Sequence, residues 1–95
     1  MSIKNLQAKS NRDHILIVSD ILSYAVWGIG RTELMFRAGL SSAQIDKYVS
    51  KLLRSELLDS YLEKKRLLYR TTSKGKIFLQ KSNALYDLIA DNLVS

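Results

Sequence analysis

The sequence predicts a single, mostly helical α+β domain. Its 95 residues are 46% hydrophobic and 25% charged, which is ordinary for one globular domain. Apolar residues recur at helical spacing along most of the chain, whereas they alternate with polar residues between 57 and 71. The glycines fall between these periodic segments or at their edges. Together these observations predict helices along most of the chain and one β-hairpin before the last helix.

The first predicted helix begins at Ser10. Residues 1–9 show no clear periodicity and are expected to form a flexible N-terminal arm. Ser10 is a suitable capping residue, and Asp13 places a negative charge near the positive end of the helix dipole. Two glycines follow and are expected to end this helix near Trp27. The apolar residues at helical spacing within it are Ile15, Val18, Leu22, Ala25 and Val26.

A pair of helices joined by a short turn comes next. The first runs from about Thr32 to Ala38 and ends at Gly39. Ser41 and Gln44 have the spacing of a capping box, in which each side chain bonds the backbone N–H of the other residue. A new helix therefore begins two residues after Gly39 and includes residues 41–55. So short a turn, with glycine first, predicts a helix-turn-helix.

Residues 57–63 and 67–71 flank a basic cluster and are predicted to form a β-hairpin. The tip lacks glycine and asparagine, so a loop longer than two residues is expected. Thr72 or Ser73 then caps a last helix that extends to about Val94. This order of elements predicts a winged helix-turn-helix domain over residues 10–73. The hairpin is its wing, and a long C-terminal helix over 74–95 follows.

Charge and composition restrict the function. Fifteen Lys and Arg against nine Asp and Glu give a net charge of +6, and the segment Lys64–Lys81 carries seven cations and no acid. Such a concentration is typical of a phosphate-facing element. The sequence has no cysteine, and its single histidine, His14, is interpreted as a helix-surface residue. No metal site or cofactor is therefore expected. The longest apolar run, Ile15–Val18, is too short to span a membrane.

The third helix is predicted to present a basic face to DNA. Its apolar residues face the first two helices, and the opposite side is basic, small or amide-bearing, as a major groove accepts. Gln44 would contact adenine only by leaving its capping box, and Lys47 would reach guanine. Further along, phosphate contacts are expected from Lys51 and Arg54. The predicted DNA-contacting residues are Arg31, Thr32, Ser42, Ala43, Gln44, Lys47, Lys51, Arg54, Lys64, Lys65 and Arg66.

Simpler interpretations remain open for both basic elements. A polar helix face is often only solvated, and a charged hairpin tip discourages edge-to-edge pairing of sheets. In the DNA-binding interpretation, the wing over 63–67 reaches the minor groove or the phosphates beside it.

The last helix is apolar over nearly half its circumference and is predicted to join two copies of the chain. A domain of this size is expected to leave the end of that helix uncovered, which favours a homodimer. Lys81, Ser82 and Asn92 interrupt the seam and would set its register. The predicted contacts are Phe78, Leu85, Leu88, Ile89, Asn92 and Leu93. The alternative is that this helix folds back over the first helix in a monomer.

Several segments carry a family resemblance. They are Arg31-Thr32-Glu33-Leu34-Met35, Ala38-Gly39-Leu40-Ser41, Tyr48 with Leu52-Leu53, Glu56-Leu57-Leu58, and Tyr69-Arg70-Thr71-Thr72-Ser73-Lys74-Gly75. Over residues 12–93 the chain resembles the small archaeal winged-helix DNA-binding proteins of the Sulfolobus ten-kilodalton (Sso-ten-a) type. The resemblance implies a homodimer joined by antiparallel C-terminal helices, with a winged helix at each end on double-stranded DNA. It also implies archaeal transcriptional regulation or chromosome organisation at the nucleoid, in the cytoplasm.

The expected function is therefore homodimeric binding of double-stranded DNA without catalysis. No carboxylate pair stands in a glycine-rich or metal-ligand pattern that would indicate an enzyme. The alternative is a winged-helix protein-interaction module whose basic face binds an acidic partner.

Overall fold

Four helices and a three-stranded sheet make up the fold. The computed structural model describes the backbone of residues 3–94 and the side chains of residues 14–88. The antiparallel sheet has the strand order β1-β3-β2. The elements are α1 (Ile3–Tyr24), β1 (Ile29–Gly30), α2 (Arg31–Ala38), α3 (Ser42–Arg54), β2 (Leu58–Glu63), β3 (Arg66–Thr71) and α4 (Ser73–Val94). This arrangement confirms the predicted winged helix-turn-helix.

The core lies where the first three helices meet the sheet. The sheet contributes Ile29, Leu58 and Tyr69 to it. Burial of each large aliphatic side chain stabilises such a core by about 1.5–3 kcal/mol. The largest fully buried side chains come from all three helices: Ile21, Leu22, Leu34 and Ile45.

The bounds of α1 differ from the prediction. The helix begins at Ile3, so the expected start at Ser10 and the expected arm over 1–9 are wrong for the backbone from residue 3 onward. No glycine or proline precedes Ser10, and several of the upstream residues are good helix formers, so nothing in the sequence stops the helix there. The helix ends at Tyr24, because the main chain then turns toward β3.

The helix-turn-helix follows the prediction closely. Gly39 ends α2 in the left-handed conformation, with φ of 67°. In the capping box, the Gln44 N–H donates to the Ser41 hydroxyl at 3.2 Å, and the Ser41 N–H donates to Gln44 Oε1 at 2.9 Å. Both bonds of the predicted motif are present, and α3 begins at the expected residue.

The wing turns more tightly than expected. Only Lys64 and Lys65 separate β2 from β3, with φ of 50° and 67°, so the prediction of a longer loop is wrong. Positive φ at both positions makes a turn whose twist matches the strands, which asparagine and glycine usually supply. Two lysines in this conformation carry backbone strain of about 1–3 kcal/mol each. The third strand, β1, was not predicted; it pairs Ile29 with Tyr69.

Hydrogen bonds fasten the start of α4 to the turn after α3. The hydroxyl of Thr72 accepts from the Gly75 N–H at 3.0 Å, which makes Thr72 the cap of α4. The same hydroxyl donates to the Glu56 carbonyl at 2.6 Å. The ammonium group of Lys74 donates to the Ser55 carbonyl at 2.9 Å. The side chains of Thr72 and Lys74 therefore tie the last two helices together.

Gly75 completes this junction through its lack of a side chain. A Cβ atom there would lie 2.4 Å from the backbone oxygen of Leu57 and 2.7 Å from a methyl group of Thr71. Only glycine allows the first turn of α4 to approach the backbone so closely. We call the contacts of residues 72–75 with residues 55–57 the α3–α4 junction.

The helix α4 packs along α1 within the chain. The hydroxyls of Ser19 and Ser82 are buried and lie 3.1 Å apart. The end of α1 is held near the start of α4 by Thr71, whose hydroxyl donates to the Leu22 carbonyl. The two helices therefore run antiparallel. Ser82 faces α1, so its predicted place in a seam between two chains is wrong.

Candidate nucleic-acid interface

The outer side of α3 is an exposed, basic surface. Ile45, Val49 and Leu52 are buried against the rest of the domain, as predicted. The capping box and the apolar stripe fix how the helix is turned about its axis, so the basic residues point outward. The residues that the structure brings together on this outer side are Ala43, Gln44, Lys47, Ser50, Lys51 and Arg54, all exposed. We call this set the α3 face.

Gln44 keeps its side-chain oxygen in the capping box. Within the side chains that the structure describes, its amide nitrogen makes no hydrogen bond. Bidentate pairing with adenine needs both the oxygen and the nitrogen. Contact through the nitrogen alone is compatible with the observed geometry, whereas bidentate readout requires the capping box to open.

Arg31 is held by α3 instead of standing free at the start of α2. Its Nε donates to Asp46 Oδ1 at 2.7 Å and its Nη2 to Asp46 Oδ2 at 3.1 Å. Nη2 also donates to the hydroxyl and carbonyl oxygens of Ser42, at 2.5 and 3.2 Å. The hydrogen bond between Arg31 and Asp46 lowers the pKa of Asp46 and raises that of Arg31. A phosphate that binds Arg31 must compete with this carboxylate.

Asp46 is a functional candidate that sequence reasoning missed. It is exposed, in the first half of α3, and it is bound by a residue fifteen positions earlier. No local pattern connects the two positions. The remaining predicted contact of α2, Thr32, is exposed beside Arg31.

The wing tip combines positive charge with exposed apolar side chains. Lys64, Lys65 and Arg66 are all exposed, as predicted. Leu62 and Leu67 pair directly across the two strands and are also exposed. This apolar pair was not singled out from the sequence, although its place in the alternating pattern was visible.

A partly buried contact supports the side of α3 that faces α1. A ring nitrogen of His14 on α1 is hydrogen-bonded to the hydroxyl of Tyr48 on α3, and the two rings are 5.7 Å apart. His14 is exposed, as expected, but it has a structural partner. Among the described residues, no group of three or more His, Cys, Asp or Glu is placed to hold a metal ion.

The predicted dimer contacts lie in different environments. Phe78 is half-buried against the chain's own core. Leu85 and Leu88 are 61% and 62% exposed, and Ile15 and Leu16 on α1 are exposed as well. Ile89, Asn92 and Leu93 lie outside the side chains that the structure describes.

Comparison with known proteins assigns this fold to a family. Residues 11–90 match the sequence profile described as winged helix-turn-helix. No curated protein matches the chain. Within the part of the chain that the structure describes, no helix is long and apolar enough to cross a membrane.

Solved structures with the same fold come from several organisms. Sso10a-2, a DNA-binding protein from Sulfolobus solfataricus, is 28% identical, with a TM-score of 0.72 over 84% of this chain and 83% of that one. MepR, a transcription regulator of the Staphylococcus aureus multidrug efflux pump MepA, is 12% identical, with a TM-score of 0.75 over 99% of this chain and 83% of its own. ZitR from Lactococcus lactis, solved in complex with DNA, is 16% identical, with a TM-score of 0.67 over 81% of this chain and 56% of its own. The Sulfolobus protein bears out the resemblance stated from the sequence, whereas the other two show the shared fold.

Proposed function

The chain belongs to the winged helix-turn-helix family, and on that premise we propose that it binds double-stranded DNA without catalysing a reaction. In this proposal α3 lies in the major groove, and the wing lies at the minor groove or on the phosphates beside it. The observation that carries the proposal is the α3 face, where Lys47, Lys51 and Arg54 are exposed together on a helix whose other side is buried.

The charge of the wing supports the same proposal. Its turn places Lys64 and Lys65 at the far end of the hairpin, and Arg66 follows at once. Nonspecific affinity for duplex DNA comes mainly from neutralised phosphates, so two basic elements on one small domain favour binding. The similarity to Sso10a-2, described as DNA-binding, favours it further.

We also propose that the protein acts as a homodimer joined through α4. The large apolar side chains of Leu85 and Leu88 are exposed, and the helix that carries them is already packed against α1 on another side. Exposed apolar patches of this kind mark association surfaces. Ile15 and Leu16 on α1 are exposed too and extend the proposed contact to both helices.

The similarity to a Sulfolobus protein supports a role in archaeal transcription or chromosome organisation, at the nucleoid in the cytoplasm.

Duplex titration of a double variant tests the DNA-binding proposal. We expect Lys47→Ala with Lys51→Ala to weaken binding at low salt by roughly tenfold or more, because two phosphate or base contacts are lost. The slope of log affinity against log salt should fall by about 0.9 for each phosphate contact removed. Fluorescence anisotropy with a labelled duplex measures both quantities.

The matched control removes the same charge elsewhere. Lys76→Ala with Lys81→Ala lowers the net charge equally from exposed positions on α4. We expect this control to keep most of the affinity. Equal losses in both double variants would place the DNA off the α3 face. No duplex binding by the wild type at low salt would instead favour an acidic protein partner.

A further inference from the structure

An open pocket lies away from the α3 face. It has a volume of about 530 Å³ and is bordered by the turn after α1, the base of the wing and the start of α4. This volume falls within the range of small-molecule sites. The side chains that the argument uses are Trp27, Asp59, Arg70, Thr72 and Lys76.

Trp27 at this pocket is the only tryptophan of the chain and is 92% exposed. Tryptophan is highly buried on average, and aromatic side chains are typical of the lining of ligand pockets. Its turn is nevertheless fixed by hydrogen bonds. The N–H groups of Gly28 and Thr71 both donate to the Ala25 carbonyl, at 3.1 and 3.0 Å. The indole therefore stands on an ordered turn, where its face is available for stacking.

The charged groups of the pocket favour an anion. Arg70 stacks on the ring of Tyr61, with its guanidinium carbon 4.5 Å from the ring centroid. Asp59 lies opposite Arg70 on the neighbouring strand, but within residues 14–88 no carboxylate forms an ion pair with Arg70 or Lys76. Two cations thus face one carboxylate. A guanidinium that lies over a ring still has N–H groups that can pair with a carboxylate or phosphate.

The pocket is separate from the proposed DNA contacts. Leu58 and Thr71 point from the sheet into the fold, so Asp59 and Arg70, next to them along the strands, point to the opposite face. The nearest proposed DNA contact on this strand is Arg66, which is four residues from Arg70, about 13 Å along the strand. The inference therefore does not rest on DNA binding.

We propose that this pocket binds a small aromatic anion, a planar ring that bears a carboxylate or phosphate group. The ring stacks on Trp27, and the anionic group lies between Arg70 and Lys76. The Asp59 carboxylate accepts a hydrogen bond from a donor group on the ring. Thr72 supplies a hydroxyl at the edge of the pocket.

Tryptophan fluorescence tests the proposal directly, because the only indole of the chain lies in the site. Benzoate and adenosine monophosphate are the probes, and acetate and inorganic phosphate are the controls without a ring. We expect a saturable change in emission with benzoate, with the nucleotide or with both. Arg70→Gln and Lys76→Gln should each weaken binding by about tenfold, the loss of one charge-assisted hydrogen bond. Lys81→Gln, with the same charge change on α4, should bind like the wild type.

The outcomes separate the two ligand sources and the competing explanations. Binding of benzoate alone identifies an aryl carboxylate, and binding of the nucleotide alone identifies an aromatic phosphate. The absence of a saturable change at about 10 mM of either probe would overturn the proposal. So would equally tight binding of acetate or phosphate, or unchanged binding in Arg70→Gln. Displacement of the probe by duplex DNA, with weaker DNA binding in Arg70→Gln, would assign the pocket to the DNA interface instead.

Discussion

Two glycines lie where neighbouring groups leave no room for a side chain. A Cβ atom on Gly28 would lie 2.1 Å from the hydroxyl of Tyr61, and Gly28 also has φ of 91°. A Cβ atom on Gly75 would meet backbone, which cannot rotate away as a side chain can. At this scale, single close approaches determine how β2 meets the turn after α1 and how α4 meets the turn after α3.

Gly75→Ala tests the close approach at the α3–α4 junction. We expect the free energy of unfolding to fall by about 1–3 kcal/mol, because the added methyl group must displace the backbone of Leu57 or shift α4. Urea denaturation measures the change. Gly30→Ala is the control, since its Cβ would meet the flexible end of the Arg66 side chain at 3.1 Å and a methyl group of Leu68 at an ordinary 3.7 Å, and its φ is −80°. That control should change stability by less than about 1 kcal/mol; equal effects would mean that the junction tolerates a side chain.

Asp46→Asn tests whether the Arg31 ion pair limits DNA binding. The variant releases Arg31 and removes a negative charge beside the α3 face, so we expect duplex affinity to rise by roughly three- to tenfold. Asp20→Asn, an equal charge change at an exposed position of α1, should have a smaller effect. A lower affinity in Asp46→Asn would show that Asp46 instead positions Arg31 for phosphate.

The pH dependence of this pair follows from the direction of the shift. Because Arg31 lowers the pKa of Asp46, the ion pair stabilises the fold above the unfolded carboxyl pKa of about 3.9. That contribution is lost as the pH falls through the lower, folded-state pKa. Between about pH 5 and 8 the pair is therefore intact, and DNA affinity in that window should not change through Asp46.

At the scale of whole elements, the wing departs most from what its sequence favours. Its two-residue turn places lysine at both positions with positive φ. Asparagine and glycine would fit the same backbone with less strain. The strained residues are also the most basic part of the hairpin. The wing is therefore less stable than it would be with asparagine and glycine in the turn, but it carries positive charge at its tip.

Two wing variants separate strain from charge. We expect Lys64→Asn with Lys65→Gly to raise the free energy of unfolding by about 1–2 kcal/mol and to weaken duplex binding. Lys64→Gln with Lys65→Gln should weaken binding similarly without that gain in stability. Thermal unfolding and anisotropy measure the two effects. Unchanged DNA affinity in both variants would remove the wing from the proposed interface.

The elements that could be predicted carry strong local signals. The capping box at Ser41 and the glycine before it fixed the turn between α2 and α3 almost to the residue. The two residues of β1 are too few to show a period, and they form a strand only because β3 passes beside them. The start of α1 was missed because Ser10 is a suitable capping residue and residues 1–9 show no clear periodicity. No residue upstream of Ser10 breaks the helix, so it extends further than predicted.

The candidate site could be predicted only in part, because local sequence patterns indicate some of its residues and not others. The α3 face follows from helical periodicity, so its exposed residues were found. The ion pair of Arg31 with Asp46 and the pocket beside Trp27 join residues that are distant in sequence. Such contacts exist only in the folded chain, and neither spacing nor composition indicates them.

At the scale of the whole molecule, the fold is elongated. Its dimensions are 48 × 27 × 22 Å, and α1 and α4 are its longest helices, at 22 residues each. The chain covers one side of α4 with α1 and leaves Leu85 and Leu88 exposed. One copy of the chain therefore buries only part of the apolar surface that the sequence places on this helix.

Leu85→Glu with Leu88→Glu tests the proposed homodimer. Both side chains are exposed in the single chain, so we expect helicity to be retained while the dimer dissociates to monomers. Sedimentation velocity measures the assembly state. Phe36→Glu, at another exposed apolar position, should leave it unchanged. A variant that still sediments as a dimer would move the contact away from this part of α4.

The α3–α4 junction has a mechanical consequence for such a dimer. Thr72, Lys74 and Gly75 fasten the start of α4 to the turn that ends α3, which leaves no flexible linker between them. The distance and angle between the two copies of α3 would then be set by how their α4 helices cross. An operator whose half-sites were displaced by a few base pairs would have to twist or bend to be bound, so spacing itself would become a source of selectivity.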